Sequence, residues 1–431
     1  MAAKTLSGYW KKSIIFTLKN IHKMKRKTIF VFILGAVILT LLSCKKDDCR
    51  CSKIRIGALI PLNGTASPQG ESGNAALMLA KTDIDKYLLT LDKDMEVELT
   101  IKNTATDTSV AISGYHELKE NGIRIIIGPY TSSELKAVKP YADRDGVLLI
   151  SPASVATSLS IAGDNVFRMV PDISSQAEAM NTLLVADGIK AIVPVVRDDI
   201  WGNELLTATA EIFTGNGNQV YEPVKYQPGA NMATIAASLY QNTSEALASY
   251  PATQVGVYMV SYDEGTSILE FFAQNQSNGD VKWYGSSGYA FDPGILQNFS
   301  VSAFAAESEL TCPVFGFDAA AKPKWEPLKA ALESVLLRTP DIYAFAAYDA
   351  LWLATFTLLK TGFDNDIEAY KTQFDMEAEN FYGVTGWTAL NDAGDRAWAT
   401  YDFWGIKWQF NAPVWSLVAN YNNGSGILTR Y

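Results

Sequence analysis

The fold is decided by two segments, IIIGPYTSSE at residues 125–134 and VLLISPAS at residues 147–154. Each begins with a short apolar run, which is typical of a strand buried on both faces of a parallel sheet. Thr131 and Glu134, three residues apart, form the pattern of a capping box, so a helix is expected to begin there and to reach about residue 144. Both strands are therefore predicted to end in loops that are rich in serine and threonine.

Hydroxyl side chains thus follow two successive strands of the predicted sheet. Ligands of open α/β sheets bind at the carboxyl ends of the strands. Free backbone N–H groups at a helix start, together with hydroxyls, suit a carboxylate or another polar head group. A helix cap or a turn would explain either cluster alone, but the two together favour a ligand site.

The stretch IIGPYTSSELKAVKPYADRDGVLLISPASVATSLS, residues 126–160, resembles the first-lobe ligand loops of the type I periplasmic binding proteins. The most similar branch is the Leu/Ile/Val-binding family of ABC-importer receptors. The resemblance extends from about residue 54 to residue 431 and is weaker in the second lobe. It implies an α/β fold with two doubly wound parallel-sheet lobes, joined by three crossover segments.

Strand and helix patterns alternate along the chain, which predicts parallel sheets with right-handed crossovers. A helix is expected at residues 73–87 after the first strand, with residue 69 in the loop before it. Interruptions of the alternation place the three crossings near residues 172, 310 and 384. The predicted lobes are given by residues 54–172 and 310–383 for lobe one, and 173–309 and 384–431 for lobe two. Four tryptophans of the last stretch are expected to serve packing: Trp398, Trp404, Trp408 and Trp415.

The N-terminal region has the pattern of a lipoprotein signal. Residues 1–43 contain eight Lys/Arg and no acid, and their apolar run at residues 29–42 is short for a membrane span. The ending LLSC resembles a lipobox and implies cleavage before Cys44 and acylation of that cysteine, with residues 44–53 as a tether. Met24 also begins a complete signal, so it is an alternative start. An uncleaved anchor is the alternative to the lipoprotein.

Without residues 1–43 the chain has 28 basic and 46 acidic residues, a net charge of −18. This charge argues against a nucleic-acid partner and fits a domain held at a membrane by lipid alone. Residues 45–48, KKDD, resemble the export tags of surface lipoproteins, with a plain charged tether as the alternative. The expected location is the periplasm or the outer-membrane surface. Cys49, Cys51 and Cys312 allow at most one internal disulfide, whose pairing stays open.

Few residues in this chain suit catalysis or metal binding. His22 and His116 are its only histidines, and no cysteine cluster replaces them, so neither a metal nor a cofactor is expected. The chain contains no G-x-S-x-G elbow and no P-loop. The carboxylate pairs at residues 198–199 and 263–264 lie on loops without the partner groups of an acid–base pair. An enzyme on this fold is therefore the weakest hypothesis.

The resemblance implies a protein whose lobes close on a small polar ligand, an amino acid or another small carboxylate, for uptake by an ABC importer permease. A sensor or surface-capture lipoprotein with the same cleft is the alternative. The implied ligand-binding residues are Gln69, Thr131, Ser132, Ala153 and Ser154 of lobe one, and Trp201, Tyr262 and the loop at residues 286–287 of lobe two.

Two positions depart from the pattern of the amino-acid receptors. The hydroxyl that would hold an α-ammonium group becomes Val155, and the carboxylate becomes Ser287. A buried ammonium without an anionic partner costs several kcal/mol. Either Asp263 or Glu264 substitutes, or the ligand carries no ammonium. We expect a ligand with an acidic or polar head rather than an aliphatic amino acid.

Overall fold

The computed structural model describes residues 52–91, 93–275, 281–362 and 366–431. Apart from Ser52, these residues belong to one compact unit, Lys53–Tyr431. The signal, Cys44, Cys49 and Cys51 lie outside the described residues, so cleavage, acylation and the disulfide remain predictions. Cys312 is described and is buried.

The first sheet has five strands in the order β2-β1-β3-β4-β5. Its strands are β1 (Ser52–Ile60), β2 (Met95–Asn103), β3 (Ile125–Ile127), β4 (Leu148–Ser151) and β5 (Val166–Arg168). Strands β1, β3, β4 and β5 pair in parallel. Helices follow the first three strands in the chain: α1 (Ser67–Thr90), α2 (Thr108–Glu120) and α3 (Ser132–Asp145). Every residue of β3 and β4 is buried, as expected for strands in the middle of a parallel sheet.

Helix α3 begins with the capping box that the sequence predicts. The Thr131 side chain accepts a hydrogen bond from the Glu134 N–H, and the Glu134 carboxylate accepts one from the Thr131 N–H. The helix ends at Gly146, whose φ of 66° is left-handed. Both ends are set by local sequence, and the N-terminus of α3 lies directly after the loop that follows β3.

Helix α1 begins earlier than expected. It includes Pro68 in its first turn, where the missing N–H of proline costs nothing. The sequence predicts a loop as far as residue 70 and a helix from about residue 73. Gln69 therefore lies on the helix and not in the preceding loop.

The second sheet has nine strands in the order β16-β15-β14-β11-β10-β9-β6-β7, and β8 pairs with β6. Its strands are β6 (Ala191–Arg197), β7 (Gln219–Val220), β8 (Val224–Tyr226), β9 (Val255–Val260), β10 (Lys282–Tyr284), β11 (Thr311–Phe315), β14 (Thr400–Gln409), β15 (Ala412–Asn422) and β16 (Ile427–Arg430). Strands β6 to β11 pair in parallel, whereas β11, β14, β15 and β16 pair antiparallel. The two-lobed α/β fold is thus confirmed, with an added antiparallel meander. The short turns between β14, β15 and β16 permit only antiparallel pairing.

The remaining elements pack around these sheets. They are α4 (Ile173–Ala186), α5 (Ile200–Gly215), α6 (Met232–Leu247), α7 (Gly265–Asn275), α8 (Pro293–Gln297), α9 (Phe299–Glu307), α10 (Lys322–Leu336), α11 (Ile342–Thr361), α12 (Ile367–Asn380) and the ribbon β12 (Tyr382–Gly383) and β13 (Gly386–Trp387). Lobe one contains the first sheet with α1–α3, α10–α12 and the ribbon. Lobe two contains the second sheet with α4–α9.

The chain passes between the lobes three times, and two passages come later than expected. The first lies at residues 169–172. The second follows β11, which pairs with β10 and β14 inside lobe two, so residues 310–315 do not belong to lobe one. The third lies at residues 397–399, because Asp395 forms a bridge and a buried ion pair with Arg168 of β5. Both boundaries depend on pairings between residues far apart in the chain, which the local pattern does not reveal.

Helix α11 is the one helix among the described residues that is long and apolar enough to cross a membrane. Of its most apolar window, 78% is buried inside the protein. It packs against α1 and α12. These contacts are those of a core helix.

The four C-terminal tryptophans divide into two groups. Trp415 is buried, and Trp404 packs against the core and contacts Phe291. Trp408 is 41% exposed and contacts Phe299, with ring centroids 5.4 Å apart, whereas Trp398 is 71% exposed, so the expected packing role is wrong for Trp398. Trp398 lies in the third passage between the lobes and not in a strand, so no neighbouring strand packs against it.

Candidate ligand-binding cleft

A small cavity lies between the two lobes, where the loops after β3, β4, β9 and β10 meet the first turns of α1, α3 and α5. Its volume is about 30 Å³, which is room for about two water molecules. Eight predicted ligand-binding residues line it: Gln69, Thr131, Ser132, Ala153, Val155, Trp201, Tyr262 and Ser287. Ser154 and Asp263 are not among the lining residues.

The lobe-one wall is a chain of hydroxyl groups. The Ser132 and Ser154 hydroxyls lie 3.0 Å apart, and the Ala156 N–H donates to the Ser132 hydroxyl at 3.3 Å. The Ser154 N–H in turn donates to the Ser151 hydroxyl at 3.1 Å. Ser154 does not line the cavity, and its hydroxyl helps to hold the Ser132 hydroxyl in position. Ser132 does line the cavity.

Several backbone N–H groups of this wall have no acceptor among the described residues. They include those of Ser132, at the first position of α3, and Val155. Unpaired N–H groups at a helix N-terminus form a favourable place for a carboxylate oxygen. Val155 thus contributes its backbone and an apolar side chain here, where a receptor for amino acids would place a hydroxyl.

Glu134 lies behind this wall and is buried. Burial raises the pKa of its carboxyl group, which hydrogen bonds from the Thr131 N–H and hydroxyl partly offset. These bonds hold Glu134 on the cap of α3, and it does not line the cavity.

The lobe-two wall is aromatic. The rings of Trp201 and Tyr262 stack with centroids 4.7 Å apart and planes inclined by 9°. Asp199 caps α5 through the Gly202 N–H at 2.9 Å, and this cap holds Trp201 in the first turn of that helix. Gly288 permits the stack, since a Cβ there would lie 2.6 Å from the Trp201 ring. The Arg197 guanidinium lies over the Tyr262 ring at 5.0 Å, so a flat ligand would find the flat apolar surface on the Trp201 side of this stack.

Neither of the two acids proposed to replace the missing carboxylate is available to the cavity. Glu264 accepts hydrogen bonds from the Arg197 guanidinium at 2.7 Å and the Tyr226 hydroxyl at 3.0 Å. Burial, together with Glu264 and Asp292, raises the pKa of Asp263 to about 7. Glu264 is already paired with Arg197, and Asp263 is not among the lining residues, which favours the alternative that the ligand carries no ammonium.

Gln69 connects the two walls. Its amide Nε2 donates to the Gly288 carbonyl at 2.7 Å, and its buried Oε1 has no hydrogen-bond partner among the described residues. An acceptor in that position suits a hydroxyl or N–H donor of a ligand, because leaving it unpaired costs free energy.

Three further hydrogen bonds join the lobes near the cavity. Thr65 of lobe one accepts from the Asp263 N–H at 3.4 Å and from Arg197 at 3.2 Å. The Ser158 N–H donates to Glu204 of α5 at 3.1 Å. The lobes are therefore in direct contact on both sides of the cavity.

Sequence reasoning missed four residues of the cavity wall: Ala66, Tyr130, Gly288 and Tyr343. Tyr130 belongs to the segment at residues 125–134, but the pattern there points to the hydroxyl residues and not to this tyrosine. Tyr343 comes from α11, so no local pattern could have placed it beside α3. Burial raises the pKa of Tyr343, and a hydrogen bond with Ser287 of the other lobe partly offsets this.

The cavity carries no ionisable acid or base apart from its tyrosines. Among the described residues no group of three or more potential metal ligands comes together. The arrangement can bind a small solute between a polar and an aromatic wall.

Comparison with known families identifies this architecture. Residues 73–409 match the family described as the receptor family ligand binding region. The chain belongs to that family. Its fold is that of the type I periplasmic binding proteins, as expected from the sequence.

Relatives in sequence and solved structures resemble this chain over most of its length. An uncharacterized protein, MJ1266 of Methanocaldococcus jannaschii, is 26% identical over 390 residues, which cover 86% of this chain and 90% of that protein. The leucine binding protein LivK of Thermotoga maritima superposes with a TM-score of 0.68 at 18% identity, covering 86% of this chain and 99% of LivK.

A solute binding protein of an ABC transporter from Rhodopseudomonas palustris, solved with p-hydroxybenzoic acid, superposes with a TM-score of 0.70 at 13% identity. The match covers 86% of this chain and 97% of that protein. The fold is thus that of solute-binding proteins.

Proposed function

We propose that this chain is a lipid-anchored, extracytoplasmic solute-binding protein that closes its lobes on a small aromatic carboxylate without an α-ammonium group. It would deliver this solute to an ABC importer permease. The observation that carries the proposal is the composition of the cleft. A helix N-terminus with a hydroxyl faces a stacked Trp–Tyr pair, and no ionised side chain lines the space between them.

The carboxylate would accept hydrogen bonds from the Ser132 hydroxyl and from the N–H groups of Ser132 and Val155. Hydrogen bonds to a charged group contribute about 1.5–3 kcal/mol each. The ring would lie on the Trp201–Tyr262 face, where aromatic stacking adds about 0.5–1.5 kcal/mol beyond area burial.

An amino acid would fit less well. Its ammonium group would be buried beside Gln69 and Tyr130 with no anionic partner, since Glu264 is held by Arg197. Such a charge costs several kcal/mol. A ring hydroxyl, by contrast, could donate to the unpaired Gln69 Oε1 without bringing a charge.

Calorimetric titration of the purified protein with 4-hydroxybenzoate, benzoate, leucine, isoleucine and valine tests the proposal. We expect 4-hydroxybenzoate to bind most tightly. Ser132→Ala and Trp201→Ala should each weaken binding about tenfold or more, because each removes a direct contact of one wall. Ser133→Ala, at the next position of α3 and outside the lining residues, is the matched control.

Tight binding of leucine, with weak or no binding of both benzoates, would refute the proposed ligand class. Acylation is tested separately, by labelling cells with a clickable fatty acid. Label that persists in Cys44→Ala would refute the lipid anchor. Permease genes beside this gene would support delivery to an importer. If uptake of the solute does not depend on such a permease, the protein is a sensor or a capture protein.

A further inference from the structure

A second and much larger cavity lies at the hinge, and it shares no lining residue with the cleft. Its volume is about 680 Å³, within the range of about 300–1,000 Å³ that is usual for small-molecule sites. Its wall includes residues 315–319, where the second passage begins, and residues 396–400, which contain the third. We call it the hinge cavity.

Indole rings form much of the hinge cavity, and two of them are exposed. Trp398 is 71% and Trp387 53% exposed, whereas Trp325 and Trp404 are held deeper in the wall. Tryptophan is highly buried on average in folded proteins. Two exposed indoles at the rim of one cavity therefore indicate a surface that a ligand covers.

Uncharged polar groups supply hydrogen-bonding capacity along the second-sheet side of the hinge cavity. Thr400, Asn420 and Asn422 all line it. The Asn420 amide donates to Asp402 at 2.7 Å, which leaves its carbonyl oxygen without a partner among the described residues. The Asn422 carbonyl oxygen accepts from the Ser425 N–H at 3.0 Å, and its amide N–H groups have no such partner. The hinge cavity thus contains both a hydrogen-bond acceptor, on Asn420, and hydrogen-bond donors, on Asn422.

The two acidic groups of the hinge cavity already have partners within the protein. Asp402 accepts from the Phe317 N–H at 3.2 Å as well as from Asn420. Asp318 accepts from the Tyr382 hydroxyl at 2.9 Å and the Ala320 N–H at 2.8 Å.

The two basic groups are engaged as well. Lys329 lies 3.5 Å from the Glu333 carboxylate. Both terminal nitrogens of Arg396 donate to Thr385, at 2.9 and 3.0 Å, and its buried Nε has no hydrogen-bond partner among the described residues. Each of the four charged lining groups thus has a contact within the protein.

We propose that the hinge cavity is a second ligand site and that it binds a neutral mono- or disaccharide. One face of a pyranose ring presents C–H groups and suits an indole plane, while its edge carries hydroxyls that both donate and accept. Exposed tryptophans beside amides and a hydroxyl match these two aspects of a sugar. A fully apolar ligand would leave Asn420, Asn422 and Thr400 unsatisfied, at a cost in free energy.

Titration of the full chain with glucose, maltose, cellobiose and N,N′-diacetylchitobiose, followed by tryptophan fluorescence and calorimetry, tests this assignment. We expect at least one of them to bind with a dissociation constant below about 10 mM. Trp398→Ala should weaken that binding about tenfold or more, since it removes the most exposed indole. Trp408→Ala removes another exposed indole of the same region, outside the hinge cavity, and should leave the affinity unchanged.

Three results would overturn the proposal: binding of none of these sugars, equal affinities for the wild type and Trp398→Ala, or loss of binding in Trp201→Ala. The last result would place the sugar in the cleft. If the fold of Trp398→Ala is disturbed, Trp387→Ala and Asn420→Ala test the same site, and unchanged affinity in both would be equally contradictory. Because the cleft is tested with benzoates and with Ser132 and Trp201 variants, failure of one assignment does not imply failure of the other.

Discussion

Gly288 shows how a single residue shapes the lobe-two wall of the cleft. A Cβ at this position would lie 2.6 Å from the Trp201 ring and 2.8 Å from the Tyr262 ring. Aromatic rings cannot bend, so any side chain here must separate the stacked pair or displace the loop. The glycine is therefore part of the binding surface although it has no side chain to contribute.

We expect Gly288→Ala to weaken 4-hydroxybenzoate binding about tenfold or more, because it breaks the stacked wall while leaving the polar wall intact. Calorimetry measures the affinity, and the near-ultraviolet circular dichroism of the aromatic groups reports the stack. Gly215→Ala, at the end of α5 with open space around it, is the control. Unchanged affinity in Gly288→Ala would show that the stack is not a ligand surface.

A second residue-scale prediction concerns Asp263. Its pKa is raised by burial and by Glu264 and Asp292 from an ordinary value of 3.8 to about 7. Between about pH 4 and pH 7 the unfolded chain has lost this proton while the folded chain retains it, so the free energy of unfolding falls as pH rises through that window. Asparagine cannot ionise, so Asp263→Asn should become steadily more stable relative to the wild type from pH 4 to pH 7.

Urea unfolding in steps across that window measures the difference between the two proteins. Glu211→Gln, which removes an exposed carboxyl on α5, controls for the loss of one charge. A stability difference that stays constant from pH 4 to pH 7 would contradict the raised pKa.

At the scale of elements, sequence predicted what neighbouring residues determine. The capping box of α3 and the buried β3 and β4 depend on residues within a few positions of each other, and they were found as predicted. The pairing of β11 with β14 and the arrival of Tyr343 beside α3 depend on contacts across more than 80 residues. No local pattern carries that information. For the same reason the sequence did not reveal that Arg197 forms an ion pair with Glu264.

The cap of α3 leads to a prediction for this helix. Thr131→Ala should reduce the free energy of unfolding by about 1 kcal/mol and also weaken ligand binding, since the cap positions the N–H groups of the polar wall. Asn231→Ala removes the cap of α6, away from the cleft, and should cost similar stability without changing affinity. Thr131→Ser keeps the capping hydroxyl and should behave as the wild type.

Urea unfolding and calorimetry with 4-hydroxybenzoate distinguish these variants. If Thr131→Ala loses stability but binds as well as Asn231→Ala does, then the first turn of α3 is not part of the binding site.

At the scale of the whole molecule, the contacts between lobes decide how easily the cleft opens. The Ser158–Glu204 hydrogen bond joins the lobes away from the lining residues of the cleft. Glu204→Ala should destabilise the closed form by about 0.5–1.5 kcal/mol. The ligand should then dissociate faster, although none of its contacts has changed.

Stopped-flow dissociation and a pair of fluorophores, one on each lobe, measure this effect. Glu211→Ala, which removes an exposed carboxylate from the same helix, should leave both readouts unchanged. Equal dissociation rates in Glu204→Ala and the wild type would show that this contact does not hold the lobes together.

The cleft cavity of about 30 Å³ also sets an upper limit on the speed of ligand capture. A benzoate does not fit that space as the lobes stand here, so each binding event must wait until they separate, and they then close around the solute further apart than in this structure. As the solute concentration rises, the observed association rate should therefore level off at the rate constant of lobe opening, and not increase in proportion. That plateau would be a property of the hinge and the interlobe contacts, the same for every solute that the cleft accepts.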